Sequence, residues 1–109
     1  MALNEDTIFA PATALGGAIA VIRISGPRAA DAVALLSLDV TRTPRRMCVV
    51  RIGMDGETVD DGMAVFFAGP RSYTGEDMVE LHCHGGGQTV QRVLALLSDS
   101  TNIERHGYT

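Results

Sequence analysis

Two periodicities of apolar residues run along this chain, and the switches between them mark its elements. Thr7 to Ala10 is a short apolar run that stops at Pro11, suited to an edge or opening strand. Ala18 to Ser25 (AIAVIRIS) is β-branched and nearly continuous, which predicts a central strand covered on both faces. Gly26 and Pro27 then punctuate, and a proline at a first helical position opens a helix to about Ser37. Ala29, Val33 and Leu36 form its apolar stripe. Arg46 to Met54 and Glu57 to Phe67 flank Asp55-Gly56, a dipeptide that tolerates the positive φ angles of a tight hairpin turn. Alternation there predicts that Val50, Ile52 and Met54 share a face with Met63, Val65 and Phe67. A turn-rich loop, Ala68 to Glu76, leads to a strand from Asp77 to His84. Gly85, Gly86 and Gly87 precede a helix from about Gln88 to Leu97, with Val90, Val93, Leu94 and Leu97 at helical spacing. The expected fold class is α+β, a mixed or antiparallel sheet with two packed helices.

Composition changes this picture little. The chain has 109 residues, enough for one domain that hides roughly 65% of its unfolded surface. Apolar residues make up 46% and charged residues 20%, the balance of a globular protein rather than a disordered one. The net charge of −4 argues against a general nucleic-acid binder, and the densest basic stretch is Arg42, Arg45 and Arg46. Cys48 and Cys83 follow no disulfide or metal spacing and read as free thiols. The first residues carry Glu5 and Asp6 and no basic segment, and the longest apolar run is broken by Arg23. These features lead to the expectation of a cytoplasmic domain without a membrane contact.

Four features are candidates for chemistry. Arg23 sits inside an apolar strand, where a guanidinium must be paired in a salt bridge, reach solvent or face a ligand. Glu80 alternates with His82 and His84 on one face of its strand, opposite Val79, Leu81 and Cys83. A carboxylate placed so either meets solvent or accepts two parallel hydrogen bonds from a guanidinium or an amino-heterocycle. His82 and His84 share that face, but two ligands fall short of the three or four a metal ion takes. The three glycines either cradle an anion on free backbone N–H groups or make a tight strand-to-helix turn. No GxxxxGK[ST] phosphate loop and no Ser/His/Asp or Cys/His nucleophile pattern occurs.

Taken together, four segments are far more specific. Asp6-Thr7-Ile8-Phe9-Ala10, the stretch from Gly17 to Pro27 (GAIAVIRISGP), Phe67 to Asp77 (FAGPRSYTGED) and Met78 to Gly86 (MVELHCHGG) resemble the amino-terminal part of the MnmE/TrmE tRNA-modification GTPases. Order and spacing agree from residue 6 to about 97. The resemblance implies a folate-binding and dimerisation domain over residues 1–99. Its fold would be similar to the tetrahydrofolate-binding domain of the glycine-cleavage aminomethyltransferases. It further implies 5-formyltetrahydrofolate as the ligand of this domain, with Arg23 and Glu80 matching family residues that contact it. GTP, magnesium and potassium belong to a GTPase domain that, with a helical domain, follows in intact members. There, a homodimer working with a flavin-dependent partner protein modifies the wobble uridine of certain tRNAs.

The sequence also departs from the family. Thr13-Ala14-Leu15-Gly16 stands where a Pro-Pro-Gly-Arg-type stretch is usual, and residues 100–109 do not resemble the family. A later proline-glycine-glutamate-phenylalanine segment and a folate-touching lysine are not found, nor are the GTPase motifs and the carboxy-terminal catalytic cysteine. The expectation is therefore a binding module without catalysis of its own. The alternatives are a stand-alone folate-dependent one-carbon transferase and a pure dimerisation module with a degenerate ligand site.

Overall fold

β-Branched and aromatic residues at alternating positions build the sheet that organises this chain. The computed structural model describes residues 7–13, 17–31, 43–54, 57–101 and 104–105. The strands are β1 (Ile8–Pro11), β2 (Ile19–Ser25), β3 (Cys48–Met54), β4 (Glu57–Phe67), β5 (Met78–His84) and β6 (Glu104–Arg105). They form one six-stranded sheet in the order β3-β4-β5-β2-β1-β6. Neighbours pair antiparallel except β1 and β6, which run parallel, so the α+β class and the mixed sheet both hold. Residues 29–31 are the described part of helix α1, and Gly87–Thr101 forms α2.

The helices meet one face of the sheet. Phe9, Ile22, Ile24, Val79, Leu81 and Cys83 point to that face, where Ala29, Val90, Val93, Leu94 and Leu97 are also buried. The stripe read from α2 is thus its core-facing side, with all four residues at most 1% exposed. A buried Leu of this kind contributes about 1.5–3 kcal/mol by leaving water. Thr7, just before β1, accepts the backbone N–H of Arg28 on its Oγ1 at 2.8 Å, satisfying a donor at the start of α1. Val33 and Leu36 of the expected stripe lie outside the described residues, as does the Asp55-Gly56 turn.

Two expectations need correction. β2 is central, but among the described residues helices cover one of its faces, while Ile19 is 60% exposed and Val21 half-buried on the other. An antiparallel sheet does not require two covered faces, so an apolar run does not fix the count of layers. The hairpin also faces differently. Met63, Val65 and Phe67 do not share a face with Val50 and Ile52; they lie across from Val49, Glu80, His82 and Met78. The cause is a bulge at Ile52/Gly53, which sets Ile52 opposite Asp60 while Gly53 still faces Thr58. One extra residue in β4 shifts the register by one and sends each later side chain to the opposite face. Gly53 allows it, since a Cβ there would collide with the Glu57 carbonyl.

The boundaries moved little. β1 includes Pro11, which lies opposite Ile22, and α2 begins at Gly87 and runs past Leu97 to Thr101. Two residues of the unaligned segment 100–109, Glu104 and Arg105, add β6 beside β1.

Candidate functional site

The face of the sheet turned away from the helices carries the polar side chains. Register arranges them in rows across the strands. Ala10, Arg23, Glu80 and Val65 form one row; Val21, His82, Met63 and Val49 form the next; Ile19 and His84 follow. Arg23 and Glu80 are therefore direct cross-strand partners. The Arg23 Nε donates to Glu80 Oε2 at 3.0 Å, with side chains 22% and 16% exposed. The other carboxylate oxygen, Oε1, lies 3.3 Å from His82 Nε2. Both oxygens are thereby pinned, and a carboxylate offering about four lone-pair positions keeps acceptor capacity beyond these two contacts. The guanidinium carbon of Arg23 stands 4.6 Å from the Tyr73 ring centroid, a cation–π contact that holds the ion pair from one side.

Tyr73 belongs to the loop between β4 and β5, which is laced to itself and to β2. Gly69 N–H donates to Asp77 Oδ1 at 2.9 Å, the Gly69–Pro70 peptide is cis, and Gly75 takes φ 81°. The Ser72 hydroxyl donates to the Glu76 carbonyl, and the hydroxyls of Ser25 and Thr74 are 2.7 Å apart. This loop folds over the Ser25 end of the open face and leaves the other end uncovered. There a depression of about 330 Å³ is lined by Ile19, Val49, Asp61, Gly62, Met63, His82, Cys83 and His84. Exposed apolar groups form its rim, Val49 above all at 82%.

His84 has its own partner. Its ring Nδ1 lies 2.7 Å from Asp60 Oδ1, and its backbone N–H donates to Asp60 Oδ2 at 2.8 Å. The Asp60 carboxyl lies below its usual value of 3.8: burial acts to raise it, but hydrogen bonds from the His84 backbone and ring, and the His84 charge, outweigh that. Cys83 faces the core, and burial, with the Asp60 charge nearby, pushes its thiol up to about 11. No cluster of three or more metal-ligating side chains occurs among the described residues.

The remaining sequence candidates separate cleanly. Gly85 makes a tight turn: its N–H donates to the Ala18 carbonyl at 3.0 Å, and a Cβ on it would strike the Gly17 carbonyl. Cys48 and Cys83 are free thiols. Arg45 takes φ 66°, donates to the Arg71 carbonyl at 3.0 Å and stacks over Phe67, while Arg42 lies outside the described residues. No described helix is long and apolar enough to cross a membrane. Sequence reasoning brought Arg23 and Glu80 forward but passed over Tyr73, Thr74 and Asp60. Their roles come from contacts over 24 to 50 positions in sequence, and local pattern carries no signal for those.

The sequence matches a known family. A family model described as the GTP-binding protein TrmE N-terminus matches residues 7–107, so the family extends into the 100–109 segment, where the sequence pattern gave no resemblance. A tRNA modification GTPase MnmE of Methylobacterium radiotolerans is 48% identical over 100 residues, 88% of this chain and 22% of the relative. Its namesake from Phenylobacterium zucineum is 53% identical over 84 residues, 75% of this chain and 19% of its own. That of Synechococcus sp. is 44% identical over 117 residues, 94% and 25% respectively. The chain thus spans about a fifth to a quarter of the length of these curated relatives. Matched over nearly all its described residues by that model, and by relatives named tRNA modification GTPase MnmE, this chain belongs to the family of TrmE amino-terminal domains.

Proposed function

We propose that this domain binds a reduced folate, 5-formyltetrahydrofolate, on the open face of its sheet and joins two copies into a homodimer. In that reading it serves a tRNA-modifying GTPase that works with a flavin-dependent partner protein on the wobble uridine of tRNA. The observation that carries it is the Arg23–Glu80 pair, set side by side on β2 and β5 with Tyr73 over the guanidinium. A pterin edge presents an amino group and a ring N–H next to each other, and one carboxylate accepts both. Glu80 is oriented for such a task by Arg23 on one oxygen and His82 on the other. Arg23 offers donors beyond Nε to a ring carbonyl, and Tyr73 supplies an aromatic wall. The domain has no phosphate loop, so nucleotide hydrolysis falls to the rest of such a protein.

Calorimetric titration of 5-formyltetrahydrofolate into the chain and into Glu80→Gln tests this reading. Glutamine keeps the size of the side chain but replaces one acceptor with a donor. Loss of a hydrogen bond to a charged group weakens binding by about ten- to a hundredfold. Equal affinity in the variant means the pterin lies elsewhere, and no binding by the unaltered chain removes the folate reading. Sedimentation across a wide concentration range tests the homodimer independently: monomer throughout rejects it.

A further inference from the structure

We infer that Arg45, Arg46 and Arg71 form a contact surface for the phosphate backbone of an RNA strand, at the rim of the open sheet face. The choice of RNA as occupant rests on the tRNA-modifying role proposed above; the surface itself rests on how these arginines are held. Arg45 and Arg46 close a four-residue turn in which the Arg46 N–H donates to the Thr43 carbonyl at 3.1 Å. Pro44 takes the second position of that turn, and Arg45, at φ 66°, takes the third. Such a turn asks for glycine at its third position, because a β-carbon is crowded in the left-handed region. An arginine persists there only where its surroundings fix it. The Arg45 N–H donates to the Phe66 carbonyl at 2.7 Å, and its Nη1 donates to the Arg71 carbonyl at 3.0 Å. Its guanidinium carbon stands 5.4 Å from the Phe67 ring centroid. An exposed cation is thereby held in one place, against the main chain of a second arginine.

The other arginines along these strands are neutralised. Arg23 is paired with Glu80 at 3.0 Å, Arg51 with Asp61 at 3.5 Å and Arg92 with Glu57 at 3.5 Å. Among the described residues, no carboxylate forms an ion pair with Arg45, Arg46 or Arg71. Asp77, an acid of the same loop as Arg71, accepts the Gly69 N–H instead. The acids of β4 lie at Glu57, Asp60 and Asp61, about 20 Å or more along the strand from Phe67. That exceeds the screening length of about 8 Å at physiological salt, so their charge is little felt at this rim. A guanidinium free of a carboxylate keeps its forked donors for phosphate oxygens. Tyr73, two residues beyond Arg71 and 77% exposed, adds an aromatic ring, and cations beside aromatic rings are how single-stranded nucleic acid is held. Position agrees as well. Phe67, under Arg45, lies across from Met78 on the face that carries Glu80, so the rim borders the surface to which a target base must be brought.

The test is an NMR titration of the 109-residue chain with a short RNA hairpin whose unpaired loop is of the anticodon type. No folate is present, so the outcome is independent of the folate titration. The Nε–Hε signals of Arg45, Arg46 and Arg71 should move, and the affinity should fall with salt at a log–log slope of about 2, as expected for three phosphate contacts. Arg45→Gly suits the turn and should bind the RNA about two- to fivefold more weakly. Adding Arg46→Gln and Arg71→Gln should weaken binding at least about tenfold and abolish the salt slope. Arg92→Gln removes the same charge from α2, on the other side of the sheet, and should bind as the unaltered chain does. Equal weakening by Arg92→Gln and Arg45→Gly would reduce the effect to net charge and overturn the surface. So would unchanged affinity in the triple variant, or no movement of the three signals in the unaltered chain, a reading that stands even where a variant fails to fold. Movement with phosphatidylglycerol vesicles but not with RNA overturns it in favour of a membrane. If these signals move while the chain binds no 5-formyltetrahydrofolate, the folate reading fails and the RNA surface stands.

Discussion

Replacing Asp60 should destabilise the domain by an amount that its two bonds to His84 set. The β4–β5 ladder ends at Met63 opposite His82, so at His84 no β4 carbonyl faces the backbone N–H. The Asp60 carboxylate takes that place, accepting the N–H at 2.8 Å while its other oxygen meets the ring Nδ1 at 2.7 Å. Its side chain is only 11% exposed, whereas that of His84 is 71% exposed. A backbone N–H bonded to a charged acceptor contributes about 1.5–3 kcal/mol. The imidazole contact, open to water on one partner, adds about 0–1 kcal/mol. Asp60→Ala should therefore lose about 2 kcal/mol, or roughly 8–16 °C in Tm for a domain of this size. His84→Ala keeps the backbone bond and should lose no more than about 1 kcal/mol. The pH dependence has a fixed sign. The folded carboxyl lies below 3.8, so its contribution is complete above that value and disappears as pH falls through the folded pKa. Urea unfolding of the three proteins at neutral pH and near pH 3 reads all of this. A loss under about 0.5 kcal/mol for Asp60→Ala, or equal losses for Asp60→Ala and His84→Ala, would refute the assignment of the stability to the backbone bond.

The other expectations are simpler. Gly85→Ala should destabilise the domain by more than about 1 kcal/mol in thermal unfolding, since its Cβ meets the Gly17 carbonyl, which is main chain and cannot swing aside. Gly86→Ala, with nothing within 4 Å of the added carbon, serves as the tolerated control. Alkylation at neutral pH followed by mass spectrometry should label Cys48 well before Cys83, whose thiol is buried and held at about 11. Equal rates would show that β5 opens far more readily than its packing against α2 implies.

Periodicity alone determined much of this protein. The α2 stripe of Val90, Val93, Leu94 and Leu97 is the core, because an amphipathic helix can bury only the side where apolar residues recur. Alternation in β5 placed Glu80, His82 and His84 on one face and Val79, Leu81 and Cys83 on the other, since successive side chains of a strand must point opposite ways. The candidate pair was legible for the same reason: a charge inside an apolar strand needs a partner, and Arg23 and Glu80 were the two that stood out. That they partner each other was decided only by the β2–β5 register, which pairing over 57 positions sets. The bulge at Ile52/Gly53 was equally invisible, and it alone moved Met63 and Val65 from the core side to the face that carries Glu80. A two-residue period specifies which side chains go together within one strand, but a shift of a single residue between strands reverses which faces meet. Tyr73 over Arg23, Thr74 on Ser25 and Asp60 on His84 follow from where a loop and a bulge come to rest. Those placements depend on packing between segments distant in sequence, and the tertiary structure alone contains that information.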